Sequence, residues 1–138
     1  MGEIDLRITQ EEAEKISGFP LIEPGIYDFR VAEVDSEARN KDNTRDMWVY
    51  RLELFNSLNS EFNGLKLKYY CPLPFETVDG KLDTGGIGLL QNLCKGTNVI
   101  WEGTKLDPTS ILGREGKLEI VQGEYDGKPT STIKRIIC

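Results

Sequence analysis

The sequence predicts an all-β domain with one helix, and three observations point there. Four segments alternate apolar and polar side chains with period two, as half-buried strands do, and a fifth strand follows the last turn. Turn dipeptides punctuate them: Pro24-Gly25, Asp79-Gly80 and Asp126-Gly127. One internal stretch, near residues 84–95, carries apolar residues close to helical spacing.

The elements follow in order. Residues 1–20 read as an acidic N-terminal arm. Thr9 and Glu12 have capping-box spacing, which predicts a short helix from about Gln10 to Ser17. The domain proper is expected over residues 21–138. Its first strand runs from Ile26 to Val34, with Tyr27, Phe29 and Val31 on one face and Asp28, Arg30 and Ala32 on the other. Residues 35–46 are polar or small without a stripe and read as a long hairpin loop. Met47 to Phe55 is the second strand, with Trp48, Tyr50, Leu52 and Leu54 opposite Val49, Arg51 and Glu53. After a loop at 56–64, Leu65, Leu67 and Tyr69 alternate with Lys66, Lys68 and Tyr70 in a third strand, ended by Pro72 and Pro74. Asp83 or Thr84 can cap a helix built on Ile87, Leu90, Leu93 and Cys94, and Gly96 is a natural stop after it. Asp107-Pro108 starts a further short turn ending at Gly113. Lys117–Gln122 is the fourth strand and Thr130–Ile137 the fifth, joined by an Asp-Gly hairpin. Five short strands with a helix between the third and fourth is the layout of a five-stranded oligonucleotide/oligosaccharide-binding (OB) barrel.

Composition narrows the function. The 138 residues contain no histidine, so the commonest general base and metal ligand is missing and Ser-His or Cys-His nucleophiles are excluded. Cys71, Cys94 and Cys138 form no C-x-x-C pair, which excludes a zinc ribbon; they read as two core residues and a terminal thiol in a reducing cytoplasm. Gly85-Gly86-Ile87-Gly88 lacks the residues a phosphate-binding loop needs. Asp79, Asp83 and Asp126 read as turn residues rather than cation ligands. No catalytic residue, metal or cofactor is predicted. No apolar run approaches the roughly 20 residues of a membrane helix, and no secretion signal opens the chain, so a cytoplasmic, membrane-free location is expected. The net charge of −6 opposes nonspecific attraction to nucleic acid. Most of it sits in residues 1–24, where six acids face two bases, for −4; the remainder is close to neutral, at −2.

Several motifs resemble phage-encoded single-stranded DNA-binding proteins of the OB type. They are Pro24-Gly25-Ile26-Tyr27, Met47-Trp48-Val49-Tyr50, Asn63-Gly64-Leu65-Lys66-Leu67, Leu89-Leu90-Gln91-Asn92-Leu93-Cys94, Ile111-Leu112-Gly113-Arg114 and Tyr125-Asp126-Gly127-Lys128. The resemblance covers about residues 20–137, with these motifs in the family's order and spacing. The resemblance implies single-stranded DNA as the partner, in phage replication or recombination in the host cytoplasm, with replication or recombination proteins as further partners. The chain departs from the pattern in ending on Lys134-Arg135-Ile136-Ile137-Cys138 rather than an acidic tail.

A single-strand binder needs cations for phosphates and flat rings for bases. The outward register of the first three strands offers Arg30, Arg51, Lys66, Lys68 and Tyr70. The first hairpin adds Arg39, Lys41 and Arg45, the last adds Tyr125 and Lys128, and Trp48 stands at a strand start where it can pack or stack. Acids interrupt the patch at Asp28, Asp42, Asp46 and Glu53, so modest, salt-sensitive affinity is expected. The competing expectation is an OB-type protein-interaction or assembly module without nucleic-acid binding, which the acidic net charge favours.

Overall fold

The computed structural model describes residues 3–7, 9, 21–41, 43–125 and 127–138. The expected helix in the arm lies outside these. Within them the chain is mostly β, with seven strands: β1 (Gly25–Arg39), β2 (Asp46–Phe55), β3 (Lys66–Pro72), β4 (Phe75–Glu76), β5 (Leu82–Asp83), β6 (Glu115–Tyr125) and β7 (Lys128–Ile137). One α-helix, α1 (Ile87–Gly96), stands between β5 and β6. The five long strands form one antiparallel sheet in the order β3-β2-β1-β6-β7, and β4-β5 is a separate hairpin.

The alternation works as the sequence implies. Phe29 and Val31 of β1, Tyr50, Leu52 and Leu54 of β2, Tyr69 and Cys71 of β3, and Leu118 and Ile120 of β6 are buried together. Leu90, Leu93 and Cys94 of α1 cover that face, and the helix packs on both edge strands, β3 and β7. Two buried phenols tie the layers: Tyr50 donates to the Pro108 carbonyl at 2.8 Å and Tyr69 to the Leu89 carbonyl at 2.7 Å. Burial pushes both phenol pKa values up and the Cys71 thiol up to about 12, so all three stay protonated.

Four expectations are corrected. The sheet is not a closed barrel, because β3 and β7 are its two edges and do not pair. Residues 35–46 are not all loop: Asp35, Ala38 and Arg39 continue β1 opposite Val49, Met47 and Asp46 as a ribbon extending past the core. Backbone pairing and polar side-chain bonds such as Arg39 to Asp46 hold it, which is why no apolar alternation marks it. Neither Asp83 nor Thr84 caps the helix, whose N-cap is Gly86 (φ 85°) without a side-chain cap bond; the β4-β5 hairpin shows in the sequence only as the Asp79-Gly80 turn, since two-residue strands are too short for periodicity. Gly96 does not stop the helix from outside; it is the last helical residue, and Thr97 and Asn98 (φ 60°) end it. Glycine at 96 answers to close approach instead. A Cβ there would stand 2.5 Å from Ile136 Cγ2, and one at Gly116 would stand 2.9 Å from the Gly96 carbonyl oxygen. The turn at Pro108–Ile111 is where Asp107-Pro108 placed it, and a further short turn at Ser60–Phe62 lies within the expected 56–64 loop.

Candidate nucleic-acid interface

The outward faces of β1, β2, β3 and β6 carry charge in opposed pairs, because antiparallel neighbours on one face lie close enough to interact directly. Arg30 meets Glu115 at 3.0 Å and lies 5.2 Å over the Phe55 ring. Lys117 meets Asp28 at 2.6 Å and Arg135 meets Glu119 at 2.8 Å. Glu33 receives two cations, Lys66 at 2.8 Å and Arg51 at 3.6 Å. The hydrogen bond and charge of Lys66, with help from Arg51, hold the Glu33 carboxyl below the usual carboxylate range, and Glu33 in turn raises the Lys66 pKa. The Lys117 hydrogen bond lowers Asp28 in the same way, against a smaller opposing effect of burial.

Lys68 stands apart. Its side chain is exposed and has no carboxylate partner among the described residues. Two residues on, and therefore on the same face, Tyr70 is 51% exposed. Two shallow cavities meet here. One, of about 320 Å3, runs between Glu33, Val49, Arg51, Lys68 and Tyr70. The other, of about 350 Å3, continues from Arg51, Lys66 and Lys68 over Leu21 to Pro129–Ser131 at the start of β7. They share Arg51 and Lys68, so one groove crosses the β3 edge towards the β6-β7 hairpin.

The structure therefore brings together Arg51, Lys66, Lys68 and Tyr70 of the sequence-derived set. The others are placed elsewhere or used otherwise. Arg39 donates to Asp46 and to the Asn43 carbonyl within the β1-β2 turn. Lys41 is exposed on that turn, away from the groove lining. Arg45 turns to the β4-β5 hairpin: its Nε donates to the Leu73 carbonyl at 2.8 Å, its Nη2 to the Gly85 carbonyl, and its guanidinium lies 4.9 Å over the Phe75 ring. Trp48 is half-buried against the core and does not line the groove. Trp101, in the loop after α1, also packs on the core and donates its indole N–H to Cys94 Sγ at 3.3 Å. The backbones of Tyr125 and Lys128 pair across the last turn, but their side chains lie outside the described part of the structure.

Sequence reasoning missed Glu33. Simple alternation from Val31 puts it on the core side, but a register shift between Val31 and Glu33 turns it outward, opposite Arg51. Asp83 accepts the Gly85 amide at 2.8 Å and Asp79 accepts the Thr77 hydroxyl, so both serve turns; Asp126 lies outside the described residues. Among the described residues no group of three or more potential metal ligands converges, and no helix is long and apolar enough to cross a membrane. No family model matches the chain, and no curated protein matches it.

Proposed function

We propose that this chain is an OB-type protein that binds single-stranded DNA without sequence preference, in phage replication or recombination. The observation that carries this reading is the half-exposed ring of Tyr70 beside Lys68, whose ammonium has no carboxylate partner among the described residues, in a groove that continues past Arg51 and Lys66. A ring offers a stacking platform to any base, and the cations track the phosphates. The strand order supports the OB reading: one sheet of five long strands curls until α1 bridges its two edges, in the partly open form that such barrels tolerate. The resemblance described above supplies the phage context.

A second reading, an OB-type interaction module, draws on a specific observation. Arg30, Arg39, Arg51 and Lys66 are each paired with a carboxylate, which leaves the face close to neutral. Fluorescence anisotropy of labelled oligo-dT, single-stranded and duplex, at two salt concentrations separates the two. Single strands bound well above duplex, more weakly at high salt, is the expected result. Equal affinity for duplex, or no binding at low salt, favours the interaction module.

A further inference from the structure

We propose that the chain has a second docking surface, beside the C-terminal half of α1, that takes the N-terminal segment Glu3–Leu6 of another copy. This inference is independent of nucleic-acid binding. Two cavities, of about 540 and 660 Å3, meet along Asn98, Val99 and Ile100 in the loop that follows the helix. Ile100 forms the ridge between them and is 89% exposed, while Val99 and Trp101 beside it are half-buried against the core. A single exposed aliphatic side chain is ordinary; what sets Ile100 apart is its place between two depressions, with Val99 and Trp101 half-buried beside it.

The charge around this ridge differs from that of the strand face. Lys95, Lys105 and Arg114 line the two cavities, and none has a carboxylate partner among the described residues. Two acids share the lining, Glu102 and Asp107. The Asp107 carboxylate already accepts the amide and the hydroxyl of Thr109. An occupant that satisfies the surface combines aliphatic side chains for the ridge with acids for the cations.

The chain carries such a segment. Glu3-Ile4-Asp5-Leu6 alternates acid and aliphatic, and in extended form that alternation puts Ile4 and Leu6 on one side and the carboxylates on the other. Ile4 is 78% and Leu6 68% exposed, so neither is covered by its own chain. Docking in trans leaves each copy with one arm and one groove to offer, so association closes where two copies exchange arms and otherwise grows in an open series.

Sedimentation velocity of the full chain, without nucleic acid, over a range of concentrations tests this. The wild type is expected to show a weight-average mass that rises with concentration to two copies or more. Ile100→Glu removes the ridge, and the double substitution Ile4→Ser with Leu6→Ser removes the arm's apolar side; each should remain a monomer. All three positions are exposed, so unchanged melting temperatures are expected. Mixing the two variants restores one intact arm and one intact groove, and should give a heterodimer that grows no further. A wild type monomeric throughout, self-association surviving in either variant, or a mixture that stays monomeric would each overturn the proposal.

Discussion

The Lys66 ammonium lies 2.8 Å from Glu33 Oε1, and the same carboxylate faces the Arg51 guanidinium at 3.6 Å, so one acid offsets two of the cations that line the candidate groove. Removing that acid should strengthen binding rather than weaken it. Glu33→Gln frees both cations, so single-strand affinity should rise and the log K against log salt slope should steepen by up to about 1.4, two phosphates' worth. Unchanged affinity and slope would mean that neither cation reaches the strand.

The same pair sets a pH dependence. Because the Glu33 pKa is depressed, its carboxylate keeps its charge to lower pH than a free glutamate does. Its contribution to stability is present above the unfolded-state pKa and is lost as pH falls through the lower folded one. Lys66 has the opposite sign: its raised pKa keeps its share until pH climbs above the ordinary lysine range. NMR titration of the Glu33 side chain should give a midpoint below that of a free glutamate, and Lys66→Ala should move it back up.

Lys68 and Tyr70 should give different signatures. Lys68→Ala should flatten the salt slope by roughly 0.7, the value of one phosphate contact on a single strand. Lys66→Ala should flatten it less, because Glu33 already offsets that charge. Tyr70→Ala should cost roughly 1–3 kcal/mol of affinity and leave the slope almost unchanged. Lys68 and Tyr70 are exposed, so neither substitution should change folding stability by more than about 0.5 kcal/mol. Slope and affinity unmoved by both would assign these side chains to solubility alone.

How much of this was legible in the sequence follows from the range of each signal. Period two in β1, β2, β3 and β6 placed Phe29, Leu52, Leu54, Tyr69 and Leu118 inside, because burial of one face imposes it. The same period failed at Glu33, where a bulge shifts the phase by one residue, and a bulge leaves no mark in apolar spacing. It failed again in the ribbon beyond Asp35, which covers no core and so needs no apolar residues. Lys66, Lys68 and Tyr70 were correctly placed outward. That Glu33 would offset Lys66, and that Arg45 would turn away, depends on pairings between distant segments that no local pattern encodes. Whether β3 and β7 would meet depends on sheet curvature, which strand order alone does not fix.

Two helical glycines should respond in opposite directions. Gly96→Ala puts a Cβ 2.5 Å from Ile136 Cγ2 and 3.1 Å from the Ile137 carbonyl oxygen, so the helix must move off β7. Overpacking of this kind costs about 1–3 kcal/mol. At Gly88 nothing lies within 4 Å of the new Cβ, and alanine there should stabilise by about 0.5–1 kcal/mol through helix propensity. Chemical denaturation of both variants checks the contrast, and destabilisation at both positions would show that helix propensity does not govern Gly88.

Arg45 should behave as a structural residue, although its charge and its place in the first hairpin suit a phosphate contact. Its Nε and Nη2 donate to the carbonyls of Leu73 and Gly85, which flank the β4-β5 hairpin on either side, and its guanidinium covers Phe75 of β4. The hairpin also makes its own turn bonds, such as the Thr77 amide to the Lys81 carbonyl at 2.8 Å. Hydrogen bonds to a charged group are worth roughly 1.5–3 kcal/mol, and partial exposure of this site places the cost of Arg45→Ala towards the low end. Hydrogen exchange should quicken at the Thr77 and Gly80 amides while the Leu54 amide, between β2 and the residue before β3, keeps its protection. The salt slope for oligo-dT should not change, because this guanidinium faces two carbonyls rather than the groove. A slope flattened by about 0.7 with no loss of hairpin protection would instead make Arg45 a phosphate contact.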